Sequence, residues 1–213
     1  MNPVLLASAR TAATLLVFSV VGTAVLAYTF LLTFETIREN EEREKTAMLA
    51  QTLPPKSFDN DLVNDSVALA PHPLLGREAS RAYRARTGNR ITGIVLETVA
   101  RDGYAGRISL VIGFRADGTI TGVRVTAHRE TPGLGDYVDI AKSAWIMMFD
   151  GRSLNDTAEG QWAVKKDGGR FDYRAGATIT ARAVVGAVHH AAQYLAAHRD
   201  ALLAGRAPAG DDQ

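Results

Sequence analysis

Two short stretches hold the residues best suited to chemistry. "AGATIT", residues 175–180, sets two threonines among small side chains at the start of a helical pattern. The N-terminus of a helix offers free N–H donors and a partial positive charge, which suits a phosphate. A threonine there, Thr180 for instance, either caps the helix or is esterified to a phosphate that the helix end then holds. Ala175, Gly176 and Ala177 leave room for an attached group. The second stretch is "HRETPGLGD", residues 128–136, between a strand pattern and a helical one. Pro132 stiffens it, Gly133 and Gly135 let backbone N–H groups approach a ligand, and Leu134 offers an apolar wall. Such a loop suits a flat heteroaromatic ring; taken alone, it equally suits a tight connection with no ligand. "GYAG", residues 103–106, reads first as a hairpin turn, with Tyr104 able to lie beside the same ring.

Other chemistries find little support. The 213 residues contain no cysteine, so disulfides and cysteine-ligated clusters are excluded within this chain. A net charge of +1 gives no case for a nucleic-acid partner. His189 and His190 are adjacent and point to different helix faces, His198 follows about two turns later, and His72 and His128 have no evident ligand partners, so no metal site is expected. Three aspartates, Asp59, Asp61 and Asp65, read as a solvated loop. Trp145 and Trp162 read as packing, and Lys142 as a solvated lysine. No nucleophile–base or paired-carboxylate spacing stands out, and no catalytic residue is assigned.

The elements that must position the two stretches form an α+β chain on an apolar anchor. Residues 11–34 carry no charge and span about 36 Å as a helix, enough for a hydrocarbon core of about 30 Å. The run is longer than the apolar region of a cleaved signal peptide, the rival reading. Residues 1–10 read as an N-terminal tail. Arg10 precedes the span, and Arg38, Arg43 and Lys45 follow it among five glutamates. That count leans weakly against an inside N-terminus. Residues 35–78 read as a juxtamembrane helix stopped by Pro54 and Pro55, then an irregular segment draped on the domain.

From Arg81 the apolar period becomes two, and "RITGIVLETVA", "GRISLVIGFRA" and "TITGVRVTAHR" read as an antiparallel meander with one buried face. Turns are expected at Gly88–Asn89, Asp102–Gly103 and Asp117–Gly118. Residues 137–149 read as a helix, residues 161–174 as a hairpin turning at Asp167–Gly168–Gly169, and residues 180–203 as a helix. The soluble domain is bounded at 79–204, and residues 205–213 read as a disordered tail.

The anchor, "LPPKSFDNDL", "DGYAGRI", "HRETPGLGD" and "GATIT", in this order, closely resemble the G subunit of the Rnf electron-transport complex. That subunit belongs to an FMN-binding family shared with the C subunit of sodium-pumping NADH:quinone reductase. The resemblance covers nearly the whole chain. It implies FMN held covalently through its phosphate on Thr178, the last residue of a Ser/Thr-Gly-Ala-Thr motif, and installed by a flavin transferase that reads Asp172. Ala175 stands where the family usually has Ser or Thr. The resemblance makes Gly176, Ala177, Glu130, Thr131, Pro132, Gly133, Leu134, Gly135 and Tyr104 the cofactor-binding set. It also implies a single-pass protein of the bacterial inner membrane with its domain on the periplasmic side. Such a chain relays electrons among partner subunits of an ion-translocating ferredoxin/NAD oxidoreductase, and is a subunit rather than a complete enzyme. A C-type quinone-reductase subunit and a membrane-tethered module without flavin are the alternatives.

Overall fold

The computed structural model describes residues 3–208, with side chains for 8–34 and 43–208. By compactness the chain divides between Lys45 and Thr46. The first unit is the greater part of a long helix, α1 (Pro3–Gln51), which starts inside the stretch read as an N-terminal tail. Within it, Ser8–Phe34 is long and apolar enough to cross a membrane, with a mean hydropathy of 2.3. Its Leu, Val and Phe side chains are exposed. Thr29 and Thr33 satisfy their hydroxyls on carbonyls one turn back, at 2.8 and 2.9 Å.

The second unit is built on five antiparallel strands in sequential order: β1 (Ser66–Leu69), β2 (Ser80–Thr87), β3 (Arg90–Gly103), β4 (Gly106–Arg115) and β5 (Ile120–Ala127). The meander is the expected one, extended by β1, which lies in the stretch read as irregular. The sheet is covered on both faces rather than one. Ile94, Leu96, Leu110, Ile112 and Phe114 face a large core completed by α2 (Thr178–Leu203). Val95 and Val111 face the opposite way, onto Leu49, Leu53 and Leu62. The last turn of α1 thus closes the second face. Gly113 and Gly122 make room for it: Thr52 sits where their side chains would be, and its carbonyl accepts from Thr121 Oγ1 at 2.5 Å.

Three local expectations are corrected. The β3–β4 turn falls at Tyr104–Ala105, within "GYAG" as expected of that stretch and not at Asp102–Gly103, because Gly106 (φ +105°) supplies the left-handed residue. Residues 137–149 are not one helix but two short 3-10 turns, Asp136–Val138 and Ala144–Phe149. Asp139 and Ser143 stand between them in extended conformations, and their side chains accept from Ala141 N and Trp145 N. Such local bonds compete with a continuous helix. Residues 161–174 form no antiparallel hairpin: a 3-10 turn, Lys165–Asp167, closes on Gly168 (φ +85°), leaving one parallel bridge, Val164–Phe171. α2 begins at Thr178, two residues before its expected start. In the tail, Gly205 O accepts from Arg84 Nη1 at 2.7 Å, and residues 209–213 lie outside the described residues.

Candidate functional site

Three segments converge at the end of the sheet that carries the β3–β4 turn: that turn, the loop after β5 and the start of α2. The pin between them is Glu130, only 4% exposed. Its Oε1 accepts from Ala105 N at 3.0 Å, and its Oε2 accepts from Thr180 Oγ1 at 2.5 Å. Thr180 is fully buried. It therefore does not cap α2; the capping position is Ala177, and no side chain caps the helix.

Of the two threonines in "GATIT", Thr178 is the available one. It is half-buried as the first residue of α2, and its hydroxyl has no hydrogen-bond partner among the described residues. It stands at an uncapped helix start, where free N–H donors favour an anion. Gly176 (φ +87°) makes the turn into the helix, in a conformation that L side chains rarely adopt. Ala175 and Gly176 are exposed, and Ala177 is buried beneath them.

The loop after β5 faces this turn. Thr131 O accepts from Leu134 N (3.1 Å) and Gly135 N (2.9 Å), closing a compact bend in which Thr131, Pro132, Gly133 and Leu134 are all exposed. Gly133 (φ +75°) has open space where a side chain would project. Leu134 is 41% exposed and reaches over Gly176. Tyr104, 66% exposed, caps the neighbouring turn, and Ile179, 47% exposed, follows Thr178. Exposed apolar side chains, open glycines and free helix N–H groups are the parts that a flat ring carrying a phosphate requires, so the residues present fit such a group.

Beneath the loop before α2 lies an aromatic support in which Trp145 does more than pack. The Tyr137 hydroxyl lies 3.4 Å from Arg174 N, from which it accepts, and 3.5 Å from Ala177 O. Burial pushes this phenol above its usual pKa. Trp145 meets Tyr137 edge-on at 5.2 Å, and its Nε1–H donates to Asp172 O at 2.7 Å. The Arg174 guanidinium stands 5.0 Å from the Tyr137 ring centre. The side chain of Asp172 turns outward to an exposed ion pair with Lys165 (2.6 Å) rather than toward Thr178. Lys142 is exposed, in line with its reading as a solvated residue. Among the described residues no group of His, Asp or Glu is arranged to hold a metal ion.

Residues 103–193, which include all of these segments, match the FMN-binding domain, and residues 1–52 match the N-terminal region of RnfG. These matches define the class: an FMN-binding-type domain behind an apolar N-terminal helix. The G subunit of the ion-translocating oxidoreductase complex of Pseudomonas aeruginosa (strain UCBPP-PA14) is 46% identical over 204 residues, 95% of each chain. That of Vibrio cholerae serotype O1 (strain M66-2) is 42% identical over 188 residues, 88% of this chain and 90% of that one. That of Shewanella loihica is 41% identical over 195 residues, 91% and 92% respectively. The chain belongs to this family, the G subunits of ion-translocating oxidoreductase complexes.

Proposed function

We propose that this chain is a membrane-anchored flavoprotein subunit. It carries FMN as a phosphoester on Thr178 and relays electrons within an ion-translocating ferredoxin/NAD oxidoreductase complex of the Rnf type. One observation carries the reading. Within the segment matching the FMN-binding domain, Thr178 presents a hydroxyl without a hydrogen-bond partner among the described residues at an uncapped helix start, two residues after Gly176, over which Leu134 of the Thr131–Gly135 bend packs.

FMN, when bound, supplies the electron chemistry; the protein holds it and sets its surroundings. Thr178 is the covalent anchor, with Gly176 and Ala177 shaping the turn that presents it. The free N–H groups of α2 hold the phosphate. Leu134, Tyr104 and the exposed backbone of Thr131, Pro132 and Gly133 line the ring, while Gly135, buried beneath them, closes the bend by donating its N–H to Thr131 O. Asp172 belongs to the surface read by a flavin transferase, which fits its outward position and high exposure. The periplasmic side of the bacterial inner membrane is the proposed location of the domain. A phosphoester there keeps the cofactor from being lost to solvent.

The test is intact mass and in-gel flavin fluorescence after full denaturation, with wild type and Thr178→Val each made alongside the transferase. The reading requires a wild type heavier by one FMN less one water and an unmodified variant. An unmodified wild type whose Ala175→Ser variant is also unmodified sinks it in favour of a module without flavin.

A further inference from the structure

Glu130 is the most deeply buried charged side chain around the site, and its surroundings are cleared for it. A Cβ on Gly135 would stand 2.7 Å from its Oε2, and one on Gly103 would stand 2.9 Å from its Oε1. Two positions on two different segments are therefore kept without side chains around one carboxylate. Each oxygen accepts one hydrogen bond, from Ala105 N–H and from the Thr180 hydroxyl. An ionised carboxylate, which only accepts, can take both bonds at once. Bonds to a charged acceptor are about twice as strong as neutral ones. One side chain thus sets the turn that carries Tyr104 and the helix start that carries Thr178 relative to the bend that carries Leu134.

We propose that Glu130 is a positioning residue. It fixes those three segments and keeps one buried negative charge among the elements that would hold the flavin, which would hold its reduction potential down. The proposal rests on the flavin reading of Thr178. The physical basis is that reduction adds negative charge to the ring. A fixed carboxylate in a water-poor interior disfavours that charge far more than one in solvent would.

The variant that separates charge from shape is Glu130→Gln. An amide keeps one oxygen for Ala105 N–H and offers an N–H to the Thr180 hydroxyl, which accepts as readily as it donates. Glu130→Ala removes both ties. Gly135→Ala displaces the carboxylate while leaving it present.

The experiment uses the full chain in detergent. It combines redox titration of the attached flavin with amide hydrogen exchange at Ala105 in the unmodified Thr178→Val chain. In the flavinylated fraction of Glu130→Gln the midpoint potential is expected to rise, and Ala105 exchange is expected to stay within about twofold of its value with Glu130 present. The rise expected is at least about 30 mV, equivalent to tenfold in a two-electron equilibrium. Glu130→Ala and Gly135→Ala are expected to speed Ala105 exchange at least tenfold. An unchanged potential in Glu130→Gln overturns the electrostatic role, and unchanged Ala105 exchange in Gly135→Ala overturns the positioning role. If the wild type carries no flavin, the reading of Thr178 fails, and the exchange measurement still decides the tie. Should Glu130→Ala not fold, the Gln and Gly135→Ala arms decide alone.

Discussion

Leu134 packs directly over Gly176: a Cβ on Gly176 would stand 3.2 Å from Leu134 Cδ1. This contact joins two motifs that lie more than forty residues apart, and it makes Gly176 a doubly constrained position. Gly176→Ala would force an L side chain into the left-handed region and against Leu134. A loss of about 1–2 kcal/mol is expected, measured by urea unfolding of the unmodified chain. Flavin loading should fall further than stability, because the displaced turn is the one that presents Thr178. Loading at the wild-type level would count against the role given to this turn.

Trp145 offers a test of the support under the loop. Trp145→Phe keeps a ring edge-on to Tyr137 but loses the Nε1–H bond to Asp172 O. A cost of about 0.5–1.5 kcal/mol is expected for the lost bond, read in the urea midpoint. The rate of flavin attachment should also fall, since the backbone of Asp172 is no longer held. An unchanged attachment rate would separate Asp172 from this support.

Stability should respond to acid through His189. Its ring is stacked on Trp162, 5.0 Å between centres and nearly parallel. Burial holds its pKa below the usual 6.5, outweighing the opposing pull of Glu159, while His190 lowers it further. The folded state therefore favours the neutral ring. Its contribution is fully present above about pH 6.5, the unfolded value, and is lost as pH falls through the lower folded value. Wild type should weaken between pH 6.5 and pH 5 more steeply than His189→Gln. Parallel unfolding curves for the two over that range would refute this.

Topology is open to direct labelling because the chain has no cysteine of its own. Ala141 is exposed near the site. In intact cells, Ala141→Cys should react with a membrane-impermeant maleimide, as a domain on the periplasmic side requires. Reaction only after lysis would place the domain in the cytoplasm.

The parts of the fold governed by local rules were readable in the sequence. The β-branched, largely alternating run in "GRISLVIGFRA" marked β4, and Gly88–Asn89 and Asp117–Gly118 marked their turns. Alternation did not show that both faces of β3 and β4 are covered, since Leu49 and Leu53 reach Val95 and Val111 only through tertiary packing. Where side chains compete with the backbone, as at Asp139 and Ser143, apolar spacing alone suggested a helix that does not form. The candidate site divides in the same way. Gly176, Thr178 and the "TPGLG" bend were legible as motifs. The bond from Thr180 to Glu130 spans fifty residues and was not; it removes Thr180 from competition and leaves Thr178 as the available hydroxyl.

The four residues of β1 also guard the sheet against unwanted partners. One border of the sheet is β1 itself, too short to offer much of a template. At the other, β5 is met at Ile120 by the backbone of Gly151 and Arg152. A shortened chain starting at residue 79 would uncover Ser80–Tyr83, the half of β2 that β1 pairs, and strip Asp65 from Arg84 and Arg86. It would also leave Val95 and Val111 without Leu49, Leu53 and Leu62. Such a fragment would be prone to strand-to-strand aggregation, so a soluble form for biophysical work should start no later than Thr46.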